Sequence, residues 1–320
     1  MHKWGLFIVI GIFFFSCKKK SIEAEIIDHS LSYDIQLNKI GLLADKVFIV
    51  GGDRFLHAHI YLMVQGKNIV DIPLPQNSTQ KEIYGIDVSP IGHIMAVGYD
   101  ASIYTSKDSG SNWTFTQNNS WREFQSIAFR DKDTAIVVGG FGFEKGIIIK
   151  MNTNAETNDA LREDRNFELS DVEFVTPNIG YLSGYGTIMK TIDGGHEWTF
   201  TTAKNDFFKA MSWKNEQEGI AVGMNGSIIK TIDGGTQWDI IINGNNFLKK
   251  KNRFLDIDYN GNGTYLAVGE KGCISISKDE GNTWLNIEST TSHDLRGVAF
   301  LNYNTALVVG TNGTILEIKL

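Results

Sequence analysis

Seven glycines recur along this chain, each closing a short apolar run: Gly51, Gly98, Gly139, Gly184, Gly223, Gly269 and Gly310. Their spacings are 47, 41, 45, 39, 46 and 41 residues. A period of that size is the length of a four-stranded propeller blade. After four of these glycines a second signal follows. Residues 106–113, 191–198, 231–238 and 277–284 share the form Ser/Thr-x-Asp-x-Gly-x-x-Trp. Residues 219–238 hold the complete unit. The apolar run 220–224 reads as a strand. Asn225-Gly226 predicts a type I′ hairpin, because that turn needs positive φ at both central positions. Residues 227–230 are the return strand, and 231–238 form a second turn. There Asp233 accepts hydrogen bonds from the turn's own amides, and Trp238 folds its ring back over the turn as the next strand begins.

An inner strand precedes each glycine strand, at 84–88, 125–129, 170–174, 209–213, 255–259 and 296–300. In the first blade it falls at 33–37 or a few residues later. The hairpin 57–64 and 68–72 completes that blade without the Asp turn. In the third blade the strand 146–151 is followed by a polar stretch, 152–165, that reads as a loop. The last blade stops at Leu320 after three strands, which would leave an open edge of unpaired backbone groups. Residues 22–37 are the candidates to pair there. The reading is an all-β, seven-bladed β-propeller of four-stranded antiparallel blades, its ring closed by the N- and C-terminal segments. The 33 glycines against 4 prolines suit its many tight turns.

Residues 1–16 stand apart. His2 and Lys3 are followed by 12 apolar residues, 4–15, too short to span a bilayer and the right length for a signal-peptide core. Phe14-Phe15-Ser16-Cys17 resembles a bacterial lipobox, with Phe14 where leucine is usual. That resemblance makes Cys17 the lipidated N-terminus, residues 17–30 the tether and 31–320 the propeller. Lys18, Lys19 and Lys20 then lie beside the headgroups, each gaining about 1 kcal/mol at an anionic surface. The place implied is a bacterial cell envelope, lipid-anchored and periplasm-facing. Only Cys273 remains after Cys17, so there is no disulfide framework.

Ser/Thr-x-Asp-x-Gly-x-x-Trp is the Asp-box, or BNR repeat, of sialidases, xyloglucanases and sortilin-type receptors. The longer unit Ala-Val-Gly-x-x-Gly-x-Ile-x-Lys-Thr-x-Asp-Gly-Gly-x-x-Trp, seen at 221–238 and nearly so at 182–198, resembles the photosystem II stability/assembly factor family. The resemblance runs over about residues 45–320 and implies a seven-bladed propeller. It places the Asp-boxes between third and fourth strands, on the face opposite the binding face. Asp108, Trp113, Asp193, Trp198, Asp233, Trp238, Asp279 and Trp284 are thereby structural.

Lys+Arg 30 against Asp+Glu 37 gives a net charge of −7, which argues against nucleic acid as the partner. The arginine signature of sialidases is absent at Arg54-Phe55-Leu56. Asp171 and Asp256, equivalent on their inner strands, read better as channel lining than as a catalytic pair. His57 and His59 share one side of a strand but lack a third metal ligand. No catalytic residue, metal or cofactor is expected. The remaining signal is a cluster of cations on blades six, seven and one: Lys249, Lys250, Lys251, Arg253, Arg296 and Arg54. It suits a protein or peptide partner with an acidic segment or a C-terminal carboxylate. The expectation is a monomeric, membrane-anchored scaffold or assembly factor. The alternative is a glycan-binding protein or sialidase-like glycosidase, which needs Trp121, Phe141, Phe143, Phe207 and Phe208 as an exposed stacking platform.

Overall fold

The computed structural model describes residues 21–64, 68–153, 161–246 and 252–320; Cys17 and the three lysines 249–251 lie outside them. Seven antiparallel sheets of four strands form the blades of a β-propeller, and the sixth carries one extra strand. The inner strands are Gln36–Leu43, Ile83–Val88, Phe124–Phe129, Leu169–Phe174, Phe208–Trp213, Phe254–Tyr259 and Leu295–Asn302. Blade one starts its inner strand at the later of the two positions read from the sequence.

The periodic glycines have a steric cause. Each inner strand carries a β-bulge immediately after the residue that pairs with the periodic glycine. In six blades the backbone just before that strand then crosses directly over the glycine; in blade five the Asp206 carboxylate lies over Gly223. A Cβ on Gly269 would lie 1.8 Å from the Arg253 carbonyl oxygen, and one on Gly98 would lie 2.2 Å from that of Glu82. The crossing carbonyl accepts the amide of the residue after the glycine, Glu270 to Arg253 at 2.9 Å. Gly269 is extended, with φ −172°, so space rather than backbone freedom selects glycine.

Two residues beyond the bulge each inner strand buries an aliphatic side chain, such as Ile86, Ile127, Ile257 or Val298. Each core cluster is shared by two neighbouring blades. Ala210 and Val222 of blade five pack with Phe254 and Ile257 of blade six, and Ala299 and Leu307 of blade seven pack with Leu37 and Ile49 of blade one. A blade therefore buries its faces only as part of the ring.

Closure uses the N-terminal segment, inside the window read from the sequence. Glu25–Asp28 pairs antiparallel with Ile315–Lys319 and becomes the fourth strand of blade seven. Ser21–Ile22 pairs in parallel with Leu285–Ile287, the outer strand of blade six. Both strands precede residue 31, where the sequence reading began the propeller.

Two local readings are corrected. Asn225-Gly226 is not a type I′ turn: Gly226 has φ 91°, and Asn225 has no positive φ. The Gly226 amide donates to Gly223 and the Gly223 amide to Ser227, which makes a three-residue loop ending in a left-handed glycine. The buried Asp206 carboxylate fixes that loop by accepting the Asn225 and Ser227 amides. The type I′ geometry is found instead at Asn312-Gly313 in blade seven, with φ 57° and 65°. The stretch 152–165 is not all loop either. Leu161–Arg165 pairs with Lys145–Asn152 as the outer strand of blade three. Its sequence, LREDR, is of the charged kind that edge strands carry.

The four Asp-boxes are alike to within tenths of an ångström. In blade five the Thr231 hydroxyl donates to Asp233 at 2.9 Å and accepts the Gly235 amide at 2.9 Å. Asp233 also accepts the Gln237 amide at 2.9 Å. The Trp113 and Trp284 indoles donate to Gly110 and Gly281 of their own turns. Trp238 packs edge-on against Trp213, which stacks on Tyr181 at 3.6 Å. The Asn112 side chain and amide hold Asp108 down to about 2. The Gln237 amide lowers Asp233 likewise. Such carboxylates stabilise the fold fully above the unfolded value of about 3.9, and that stability is lost as pH falls through the lowered folded value. Asp233→Ala is expected to cost about 1 kcal/mol at pH 7. In urea titrations the gap from wild type should close between about pH 4 and pH 2. A gap unchanged at pH 2 would remove the carboxylate from that account.

Candidate functional site: the channel mouth

In an up-and-down blade the inner strands begin on the face that carries the second-to-third-strand turns. The Asp-boxes lie on the other face. On the first face a cavity of about 310 Å³ opens into the central channel. The bulges shape it, since two successive residues of one inner strand reach the same space. Asn38 with Lys39, Gln125 with Ser126, Ser170 with Asp171 and Leu255 with Asp256 all line it. Met224 and Glu270 contribute from the hairpin turns.

The carboxylates below the mouth hold neighbouring blades together. Asp171 accepts the Ser126 hydroxyl and the Met211 amide, both at 2.9 Å. Asp256 accepts Lys39 at 2.6 Å and the Val298 amide at 2.9 Å. Asp87 and Asp258 take the amides of Phe129 and Phe300. Each joins an inner strand to the next blade, which fits a structural lining rather than a facing catalytic pair. Burial pushes Asp87 up to about 6 and Asp258 up to about 7, against the pull of those amides. Their sign is opposite to that of the Asp-boxes. The folded state binds these protons more tightly, so their contribution to stability declines as pH rises from about 4 through 6 and 7. Lys39 behaves differently: burial alone would lower its ammonium, but Asp256 and Asp171 hold it charged, well above its usual value.

Two other cations line the mouth. Lys209 and Arg296 occupy equivalent bulge positions in blades five and seven. Neither makes a side-chain hydrogen bond or an ion pair among the described residues. The Lys209 ammonium lies 5.2 Å from the centre of the Phe207 ring. Burial lowers its pKa; the attraction of Glu168 outweighs the repulsion of Arg296 but does not offset the burial. An anion entering here would relieve both charges.

Arg54 and Arg253, also read from the sequence, stand around this rim. Arg54 donates to Glu123 at 2.9 Å and lies over the rings of Phe55 and Tyr99. Burial raises the Glu82 carboxyl, while Arg296 and Arg54 both pull it down, so these two arginines share one acidic neighbour. Arg253 donates to Glu270 at 3.3 Å. His59 bonds Asp71 and stacks on Tyr61.

The aromatic residues divide. Trp121, Phe141 and Phe143 are exposed, whereas Phe207 and Phe208 are buried. Tyr185, which the sequence reading passed over, joins Phe143 and Phe207 in a cluster with centroids 5.1–6.0 Å apart. An aromatic in the turn after a blade glycine was the signal available for it. Through Phe207 the cluster runs directly to Lys209.

The sequence model of the photosynthesis system II assembly factor YCF48 matches residues 151–246 and 205–288. No curated protein sequence matches significantly. The solved structure of YCF48 bound to D1 peptide superposes with a TM-score of 0.73 at 13% identity, covering 95% of this chain and 100% of that one. YCF48 from Cyanidioschyzon merolae gives 0.71 at 14% identity, over 92% and 98%. A streptogramin B lyase gives 0.74 at 14% identity, over 93% and 98%, so the same architecture also carries enzymes. With its fold, its four Asp-boxes and the matched repeats, the chain is an Asp-box seven-bladed β-propeller similar to the photosystem II assembly factor YCF48.

Proposed function

We propose that this protein is a non-catalytic assembly or scaffold factor that docks an acidic or carboxylate-terminated segment of a protein partner at the channel mouth. The observation that carries the reading is the pair Lys209 and Arg296, two cations with no hydrogen-bonded carboxylate among the described residues, in one polar cavity whose acidic residues Asp171 and Asp256 are bonded to other groups. Arg54 and Arg253 extend the positive rim, and the Phe143–Tyr185–Phe207 cluster offers apolar contact beside it; lysines 249–251 precede Arg253 in the sequence. The likeness to YCF48, solved with a D1 peptide, supports a peptide as the kind of ligand. In this reading the protein is a monomer held in a bacterial envelope by a lipid on Cys17.

The test is capture of partners from detergent-solubilised envelope by wild type and by Lys209→Glu with Arg296→Glu. Neither side chain carries an ion pair, so the double variant should melt within a few degrees of wild type. Capture should fall at least 100-fold, since each charge-assisted contact contributes about 1.5–3 kcal/mol, and its salt dependence should flatten. Undiminished capture by a folded double variant would refute the site. The exposed rings of Trp121, Phe141 and Phe143 favour a second reading, a glycan laid across blades three and four. Capture of oligosaccharide that survives the charge reversal and is lost with Trp121→Ala and Phe143→Ala would establish that reading instead.

A further inference from the structure

The outer corner of blades four and five is apolar where its repeat relatives are not. Two positions of the Asp-box unit decide it: the residue before the Asp, and the second residue after the Trp. In blade two these are Lys107 and the half-buried Phe115, and in blade six they are Lys278 and Asn286. In blade four they are Ile192 and Phe200, 71% and 65% exposed. In blade five they are Ile232 and Ile240, both 64% exposed. All four lie at the Asp-box end of the rim. The two blades are stitched together there by the Thr202 hydroxyl on the Thr236 carbonyl at 3.1 Å and by Lys190 on the Gly234 carbonyl at 2.7 Å. Blade six adjoins them, with Lys230 donating to Asn282 at 3.0 Å.

The direction of the N-terminal strand adds an independent constraint. Ser21–Ile22 runs parallel to Leu285–Ile287, which leaves the Asp-box turn at Trp284. Ser21, the first described residue, therefore stands at the Asp-box end of this strand pair. Cys17 is four residues earlier, a reach of at most about 14 Å when extended. A lipid on Cys17 would thus be held within that reach of the Asp-box end of blade six, the blade beside the one that carries Ile232 and Ile240.

We infer that the Asp-box corner of blades four and five is a membrane-contact surface, with Ile192, Phe200, Ile232 and Ile240 seated among phospholipid headgroups. The inference rests on the lipid-anchor part of the proposed function. Lys278, exposed on blade six, and the lysines 18–20 supply cations for anionic headgroups. Glu197 and Asp239, exposed at the same corner, keep the contact shallow. The channel mouth lies on the opposite face, so this seating turns it away from the bilayer and leaves it open to a partner.

The experiment uses the full lipidated chain in vesicles of phosphatidylethanolamine and phosphatidylglycerol, in a Cys273→Ser background. An environment-sensitive dye is attached after Ile192→Cys, Ile232→Cys or, on the opposite face, Phe141→Cys. Brominated lipid should quench the dye at 192 and 232 at least twofold and leave it unchanged at 141. Quenching at 141 alone, or at none of the three, overturns the inference. A mass in detergent that doubles with concentration, and returns to one chain in Ile192→Ser with Ile232→Ser, assigns the corner to a second copy and also overturns it. Labelling with a palmitate analogue, compared with Cys17→Ala, reports on the anchor separately. If no label appears, the anchor reading fails, while quenching at 192 and 232 with vesicles added to the unlipidated chain still sustains the corner.

Discussion

Gly269→Ala is expected to destabilise the propeller by about 3 kcal/mol, the upper range for forcing a methyl into a packed site. The added Cβ would lie 1.8 Å from the Arg253 carbonyl oxygen and 2.8 Å from its carbon. That atom is backbone, so no side-chain rotation relieves the clash. The crossing strand must lift, and the hydrogen bond from the Glu270 amide to Arg253 lengthens with it. The bulge that aims Leu255 and Asp256 into the channel shifts as well. Gly142→Ala is the control. Nothing lies within 4 Å of a Cβ there, and only its φ of 69° opposes the change. That variant should lose about 1 kcal/mol. Urea unfolding of both reads the difference, and a loss at Gly269 no larger than at Gly142 would contradict the crossing as the reason for the periodic glycine.

Lys39→Met should cost a similar amount, about 3–5 kcal/mol, by a different route. Lys39 of blade one reaches past blade seven to Asp256 of blade six at 2.6 Å. The Asp256 side chain is only 2% exposed. Without the ammonium it becomes a buried charge held by the Val298 amide, and breaking a buried pair from one side is strongly destabilising. Protonation of Asp256 relieves this, so the deficit should shrink as pH falls. Adding Asp256→Asn should restore much of the stability at pH 7. A deficit that persists unchanged in the double variant would place the effect of Lys39 elsewhere than in its pairing.

The ring was legible because its causes repeat. A glycine under a crossing backbone and an Asp that closes its own turn leave marks in every blade that has them, and seven marks fix the blade count. Closure was legible from an unfilled edge: three strands at the end of the chain demand a fourth, and Glu25–Asp28 supplies it. What failed was local or non-repeating. Asn225-Gly226 looks like a type I′ turn until Asp206, distant in sequence, takes its amides. Leu161–Arg165 reads as a loop because its sequence, LREDR, shows no apolar alternation. At the site, sequence spacing brings arginines to neighbouring blades but does not say which are already paired. Arg54 and Arg253 have glutamates. Lys209, hidden in an inner strand and unmarked by any motif, joins Arg296 in the mouth only once the bulge aims it there.

Photo-crosslinking in intact envelopes tests the central claim most directly. A benzophenone amino acid replaces Met224, which lines the mouth, or Lys278, on the Asp-box face, in otherwise wild-type protein. The account predicts a discrete protein adduct from position 224, absent from position 278, and abolished when Lys209→Glu and Arg296→Glu are added. A protein adduct at 224 that persists through the charge reversal, or the same adduct arising from position 278, would contradict it.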